Sequence, residues 1–150
     1  MIIRRAKLDD LRKIQELNNQ LFELELANFD KYLIKDWPLS SEGRQYFENA
    51  IKNDFVVVAE IEGVVVGYLF GGINHIPYYS FKTAELYNMC VESEYRNCGV
   101  GKALYRKFEE FHNAQGINHF VVTASFKNKS ACVFYEKMGF QKANMTFVKF

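Results

Sequence analysis

Residues 96–101, Arg96-Asn97-Cys98-Gly99-Val100-Gly101, bring together a cation, two glycines and the opening of an amphipathic repeat. They follow an extended apolar stretch, Leu86 to Val91, so the order is strand, turn, helix start. Backbone N–H groups at a helix N-terminus have no intrahelical partner, and the helix dipole adds roughly half a positive charge there. Gly99 and Gly101 allow a ligand to approach the backbone without a Cβ between them, and Arg96 adds a fixed cation. The chemistry this arrangement suits is anion binding, with a phosphate or pyrophosphate as guest. A plain helix cap is the bland alternative. Two nucleotide loops fit poorly. Lys102 follows Gly101, but Ala103 stands where a P-loop needs a hydroxyl for magnesium, and Leu104 breaks a three-glycine dinucleotide pattern.

The elements that must hold this turn can be read from period and punctuation. Ile2 to Arg5 is a short strand. Asp9 is placed to cap a helix with Leu11, Ile14, Leu17 and Leu21 on one face. Phe22 to Pro38 has no clear pattern, and Ser40 or Ser41 starts a second helix carrying Phe47, Ala50 and Ile51. Phe55–Ile61 and Val64–Gly72 flank Glu62-Gly63 as a hairpin. Ala84–Val91 is the strand before the turn. The helix after it runs to about Gln115 with Ala103, Leu104, Phe108 and Phe111 on its core stripe, and Gly116 stops it. Ile117–Thr123 reads as a strand, Asn128–Met138 as a helix ending at Gly139, and Phe140–Phe150 as strand-like. The whole is an α/β domain spanning 1–150.

A second cue lies in the C-terminal third. Asn128 and Tyr135 are seven residues apart, two helical turns, and share a face with Ala131 between them. Taken alone, such a pair is usually a solvated edge or a core tyrosine. Together with the turn, the series Arg96-x-x-Gly99-x-Gly101, helix, strand, Asn128-x-x-Ala131-x-x-Phe134-Tyr135-x-x-x-Gly139-Phe140 closely resembles the GNAT superfamily of acyl-CoA N-acyltransferases. The resemblance covers nearly the whole chain and is strongest over residues 84–140.

What it implies is a single-domain GNAT-like fold, with a mixed, mostly antiparallel sheet of six to seven strands flanked by about four helices. It implies acetyl-CoA as co-substrate and an amine as acceptor. Arg96, Asn97, Cys98, Gly99, Val100, Gly101, Lys102 and Ala103 would wrap the pyrophosphate. Met89, Cys90 and Val91 would lend backbone groups to pantetheine and the thioester carbonyl. Asn128 would contact the coenzyme arm, and Tyr135 would protonate the departing thiolate. Asn97-Cys98 departs from the glycine and basic residue that many relatives have, which weakens phosphate contacts but keeps the required glycines.

Acyl transfer to nitrogen asks for a base as the C–N bond forms and a donor for the developing oxyanion. Glu85, at the head of the strand and eleven residues before Arg96, is the candidate base; a surface glutamate fits its position equally. On an unbroken strand Glu85, Tyr87, Met89 and Val91 share one face, with Leu86, Asn88 and Cys90 on the other. A bulge would upset that alternation, and Asn88 or Tyr87 could then touch substrate. Glu23, Glu25 and Asp30 could attract a cationic amine or simply form a solvated acidic face. Trp37, Tyr78 and Tyr79 fit an acceptor pocket or packing.

Composition narrows the field. The 150 residues carry a net charge of +1, which argues against a dedicated nucleic-acid or anionic-membrane binder. No apolar run approaches the roughly 18 residues of a membrane span, and the N-terminus lacks a signal-peptide profile. Cys90, Cys98 and Cys132 show no metal-type spacing, the histidines are scattered, and no metal is expected. The thiols read as reduced and the setting as cytoplasmic. The competing functions are a small-molecule N-acetyltransferase, a protein N-terminal or lysine acetyltransferase, and a non-catalytic acyl-CoA-binding module. A homodimer paired through C-terminal strands is compatible with the resemblance.

Overall fold

Glu62 and Gly63 both take positive φ, 51° and 80°. That is the two-residue turn whose twist matches its flanking strands, and it joins β2 (Phe55–Ile61) to β3 (Val64–Asn74). The computed structural model describes residues 1–150. Around this hairpin a five-stranded sheet forms in the order β1-β2-β3-β4-β5, with β1 at Ile2–Arg5, β4 at Thr83–Val91 and β5 at His119–Val122. The first four strands pair antiparallel, and β5 lies parallel to β4.

Two helices cover each face. On one side, α1 (Leu11–Asn28) and α2 (Ser41–Asn53) bury Leu11, Ile14, Leu17, Phe47 and Ala50 against Val56, Val58, Tyr68 and Phe70. On the other, α3 (Val100–Asn113) and α4 (Lys129–Lys137) cover Phe55, Val57, Leu69 and Leu86. Leu104 and Phe108 of α3 are fully enclosed, each contributing about 1.5–3 kcal/mol by burial. Ser40 caps α2 as the sequence implied, its hydroxyl accepting from the Gly43 amide at 3.1 Å.

The structure differs from the sequence reading at several points. Asp9 does not cap α1. A short 3-10 turn at Leu8–Asp10 precedes that helix, and the neighbouring Asp10 accepts from the Lys7 amide and both terminal nitrogens of Arg4. Helix α1 continues to Asn28, through residues that showed no clear pattern. The α3 stripe is Val100, Leu104, Tyr105, Phe108 and His112, whereas Phe111 lies at the surface against Phe55 and Arg5.

The sheet has five strands rather than six to seven, because residues 141–150 form none. The tail is held otherwise: Phe150 stacks on Tyr32 at 4.1 Å and Lys142 pairs with Glu136 at 3.0 Å. Of the C-terminal strands, β5 is formed, whereas the one expected over Phe140–Phe150 is not.

Candidate active site

The turn after β4 is built from left-handed backbone. Asn97 has φ 61° and Gly99 φ 83°, and Gly99 is the N-cap of α3 with no side chain closing the helix end. The first α3 amides are thus left to an outside partner. Alternating backbone of this kind gathers N–H groups into an anion-binding concavity. Asn97 occupies a conformation that Asn tolerates better than most residues, so the departure from a glycine there is absorbed by the backbone. Arg96 Nε donates to the Val91 carbonyl at 2.8 Å, which ties the turn to the end of β4. Residues 96–99 are exposed, and Lys102 is exposed beside them on α3.

Strand β4 supplies the second wall. Its pairing with β3 runs Phe70↔Asn88 and then Gly71↔Leu86, so Tyr87 is an extra residue in a β-bulge. The bulge resets the alternation expected for an unbroken strand. Leu86, Met89 and Val91 face the α3 side, while Cys90 lies in the α1–α2 core. Tyr87 packs edge-on against Phe70 of that same core, 5.1 Å between ring centres. Pairing between β4 and β5 covers only Thr83–Leu86 against His119–Val122. Beyond Leu86 the outer edge of β4 has no strand partner, so backbone groups of Tyr87–Val91 on that side can serve a ligand.

Helix α4 closes the space. Asn128 is its N-cap, with Oδ1 accepting from the Ala131 amide at 3.1 Å, which leaves its side-chain NH₂ to point elsewhere. Phe134 and Tyr135 both pack on the α3-side core. A Cβ added at Gly101 would lie 3.3 Å from Phe134 Cε2 and 3.9 Å from Met89 Cε. The glycine turn, β4 and α4 therefore converge at Gly101. Burial, with the Glu25 carboxylate adding to it, pushes the Tyr135 phenol up to about 12. Burial likewise pushes the Cys90 thiol up to about 11, so it stays protonated at neutral pH.

Glu85 is half-buried and accepts from Asn74 Nδ2 at 3.0 Å, near Tyr87 and towards the far end of β4 from the turn. Trp37 stacks on Phe22, meets Tyr46 edge-on and donates to Glu42 at 3.3 Å, a packing role. Tyr78 is 83% exposed, and Tyr79 stacks on Phe81. A surface hollow of about 440 Å³ lies between Ser80–Lys82 and Gln115–His119, beside the first residues of β4 and β5 rather than the turn. Cys98 is exposed in the turn, its sulfur 3.4 Å from the Arg96 carbonyl.

One polar group was not singled out from the sequence. Asn18 Nδ2 donates to the Tyr68 hydroxyl at 2.7 Å, and that hydroxyl donates to Asn88 Oδ1 at 2.6 Å. The relay crosses from α1 through β3 to the bulge of β4 and fixes which end of the Asn88 amide turns away. Asn18 within an otherwise apolar helical stripe, and Tyr68 within an apolar strand, were the available signals. No group of His, Cys, Asp and Glu is arranged to hold a metal ion, and no helix is long and apolar enough to cross a membrane.

Comparison with known proteins adds family and fold. The profile of the Acetyltransferase (GNAT) family matches residues 13–140. An uncharacterized N-acetyltransferase of Methanocaldococcus jannaschii is 29% identical over 143 residues, covering 93% of this chain and 60% of that protein. The probable N-acetyltransferase family 8 member 5 of Mus musculus is 38% identical over 85 residues, covering 57% of this chain and 37% of that protein. The chain thus spans only part of these relatives. Among solved structures, a tetramutant of a Bacillus halodurans protein superposes with TM-score 0.89 at 20% identity, covering 99% of both chains. Aminoglycoside N-acetyltransferase AAC(6')-Iy in complex with CoA superposes with TM-score 0.75 at 18% identity, covering 99% of this chain and 97% of that one.

Proposed function

The chain belongs to the Acetyltransferase (GNAT) family, and from that premise we propose that it moves an acetyl group from acetyl-CoA to a primary amine of a small molecule. Transfer is by direct attack in a ternary complex. The observation that carries this reading is the convergence at Gly101 of an open helix N-terminus, the unpaired edge of β4 and the helix bearing Tyr135.

In this proposal Arg96 to Ala103 hold the pyrophosphate, chiefly through the amides of Gly99, Val100, Gly101 and Lys102, where the helix dipole favours negative charge. Met89, Cys90 and Val91 offer backbone groups to the pantetheine arm and to the carbonyl oxygen as it gains charge. The NH₂ of Asn128 is available to the same arm. Tyr135 keeps its proton across the physiological range because burial raises its phenol to about 12, so it is a donor for the leaving thiolate. Glu85 is the carboxylate assigned to take the amine's proton through water. The neutral, buried Cys90 supports direct attack over an acyl-cysteine route. Protein amines and non-catalytic coenzyme binding are the alternatives; the retained phenol beside the groove weighs against a pure binder.

The test is thiol release from acetyl-CoA with an amine panel. Tyr135→Phe should lower kcat about tenfold or more while leaving acetyl-CoA affinity within about twofold. Unchanged kcat would remove Tyr135 from the mechanism. Coenzyme binding without thiol release across all amines would favour the binding module, and preference for peptides would favour a protein acceptor.

A further inference from the structure

The polarity of the Asn18–Tyr68–Asn88 relay is set by one proton. Tyr68 is fully enclosed, and burial holds its phenol well above the ordinary range, so it stays protonated. A hydroxyl has a single O–H to give and lone pairs with which to accept. Asn18 turns its NH₂ to that oxygen at 2.7 Å, so the hydroxyl proton goes to Asn88 Oδ1 at 2.6 Å. Asn18 Oδ1 is left sealed without a donor. The reverse orientation would strand two N–H groups in its place, and buried donors without partners are the rarer fault. Asn18, 2% exposed, thereby holds the run of bonds in one direction.

The direction matters at the far end. With Oδ1 taken by Tyr68, the half-buried Asn88 keeps its NH₂ free: Nδ2 makes no hydrogen bond and is not sealed from solvent. Asn88 pairs with Phe70 and shares the α1–α2 face of the sheet with Tyr68 and Cys90. Met89, Phe134 and Tyr135 lie on the opposite, α3 side. The pairing of β4 with β5 stops at Leu86, just before the bulge. Past that point no strand separates the two faces. Asn88 stands beside the edge offered to the thioester, on the face opposite Tyr135.

We infer that Asn88 is a specificity-determining residue for the acceptor, its Nδ2 donating to an oxygen that the acceptor carries besides the amine, and that Tyr68 is the positioning residue that keeps this donor outward. The inference rests on the acetyl-transfer reading and narrows its substrate class to amines with a hydrogen-bond-accepting oxygen: an ether, a hydroxyl or a carbonyl. The reacting nitrogen is not the partner, because a lone pair engaged by an N–H is withheld from the thioester. An amide held in one orientation discriminates. It offers N–H alone, and a methylene in place of the oxygen leaves that donor unpaired.

The probes are 2-methoxyethylamine and butylamine, which differ by an oxygen for a methylene. Binding to the CoA-saturated protein is read by calorimetry, and turnover by thiol release with acetyl-CoA. Asn88→Leu, which has no donor, supplies the ratio set by the different basicity of the two amines. Measured against that ratio, the wild type should favour the ether about fivefold. Asn88→Asp, of near-identical shape but without N–H, should match Asn88→Leu. Tyr68→Phe, which frees the amide to turn over, should lose most of the preference through KM, with CoA affinity unchanged. A wild-type ratio no higher than that of the two Asn88 variants, or no binding of the ether at all, overturns the proposal. So does a loss of kcat on both amines alike, which would place Asn88 at the thioester. An ether preference in calorimetry without thiol release would sink acetyl transfer and leave Asn88 standing as the donor.

Discussion

Tyr68→Phe removes one oxygen atom from the centre of the molecule and breaks both links of the Asn18–Tyr68–Asn88 relay. The residue is fully buried, and its hydroxyl makes two short hydrogen bonds, 2.7 Å and 2.6 Å. Asn18 is sealed from solvent and already has one orphan atom, so loss of its Nδ2 partner costs about 1–3 kcal/mol. Asn88 is half-buried and can turn towards water, which limits its share to about 0.5–1 kcal/mol. Relief from burying the hydroxyl offsets part of this, and a net loss of about 2 kcal/mol is expected. Urea unfolding at pH 7 should show a lower midpoint with an unchanged slope. In an Asn18→Leu background the orphaned donor no longer exists. The same substitution should then cost about 1 kcal/mol less, a coupling typical of residues in one network. Tyr68→Phe within about 0.5 kcal/mol of wild type, the range of surface changes, would refute the relay. Zero coupling would refute its wiring through Asn18.

Two further outcomes follow from geometry. At Gly101 a Cβ would meet the Phe134 ring edge at 3.3 Å. The larger Gly101→Val must therefore displace α4, weakening acetyl-CoA binding about tenfold or more by calorimetry, with most of the fold's stability kept. Arg4→Ala strips Asp10 of its bidentate partner, at 2.8 Å and 2.9 Å, and releases Glu60. A loss of about 1–3 kcal/mol is expected at pH 7. Burial works against the Asp10 charge, yet the Arg4 guanidinium and the Lys7 amide together hold its carboxyl below its usual range. That stabilisation is present above the ordinary carboxylate range and fades as pH falls through the depressed value. Wild type and Arg4→Ala should accordingly converge in unfolding free energy only as pH falls below the ordinary carboxylate range.

The readable parts of this fold are those where local chemistry and tertiary structure agree. Glu62-Gly63 specifies its hairpin, Ser40 its cap, and the β-branched runs their strands. The bulge at Tyr87 was not readable from β4 itself, since nothing in Thr83–Val91 interrupts the pattern; Gly71-Gly72 on the partner strand was the available hint. Helix α1 was cut short because Glu23-Leu24-Glu25-Leu26 alternates acids with leucines, and none of Phe22–Asn28 is buried to give a core stripe. The C-terminal alternation Met145, Phe147 and Val148 reads as strand, but a strand needs an edge to pair with, and the tail is drawn to Tyr32 instead. Of the candidate site, the turn and the Asn128–Tyr135 spacing were legible. The relay was not, because its members lie 18, 68 and 88 residues along the chain and meet only across the sheet.

The glycine turn is the electropositive end of the candidate site, and its charge bears on coenzyme capture. Arg96, Lys102 and the α3 N-terminus gather positive potential at one end, without a carboxylate partner for either side chain. A polyanionic carrier is drawn to that end, and salt screens the attraction. Replacing both Arg96 and Lys102 with alanine should therefore weaken acetyl-CoA binding and flatten its salt dependence. Calorimetry of acetyl-CoA binding across a salt series, on wild type and the double variant, reads this directly. Equal salt dependence in the two proteins would remove both side chains from the pyrophosphate site.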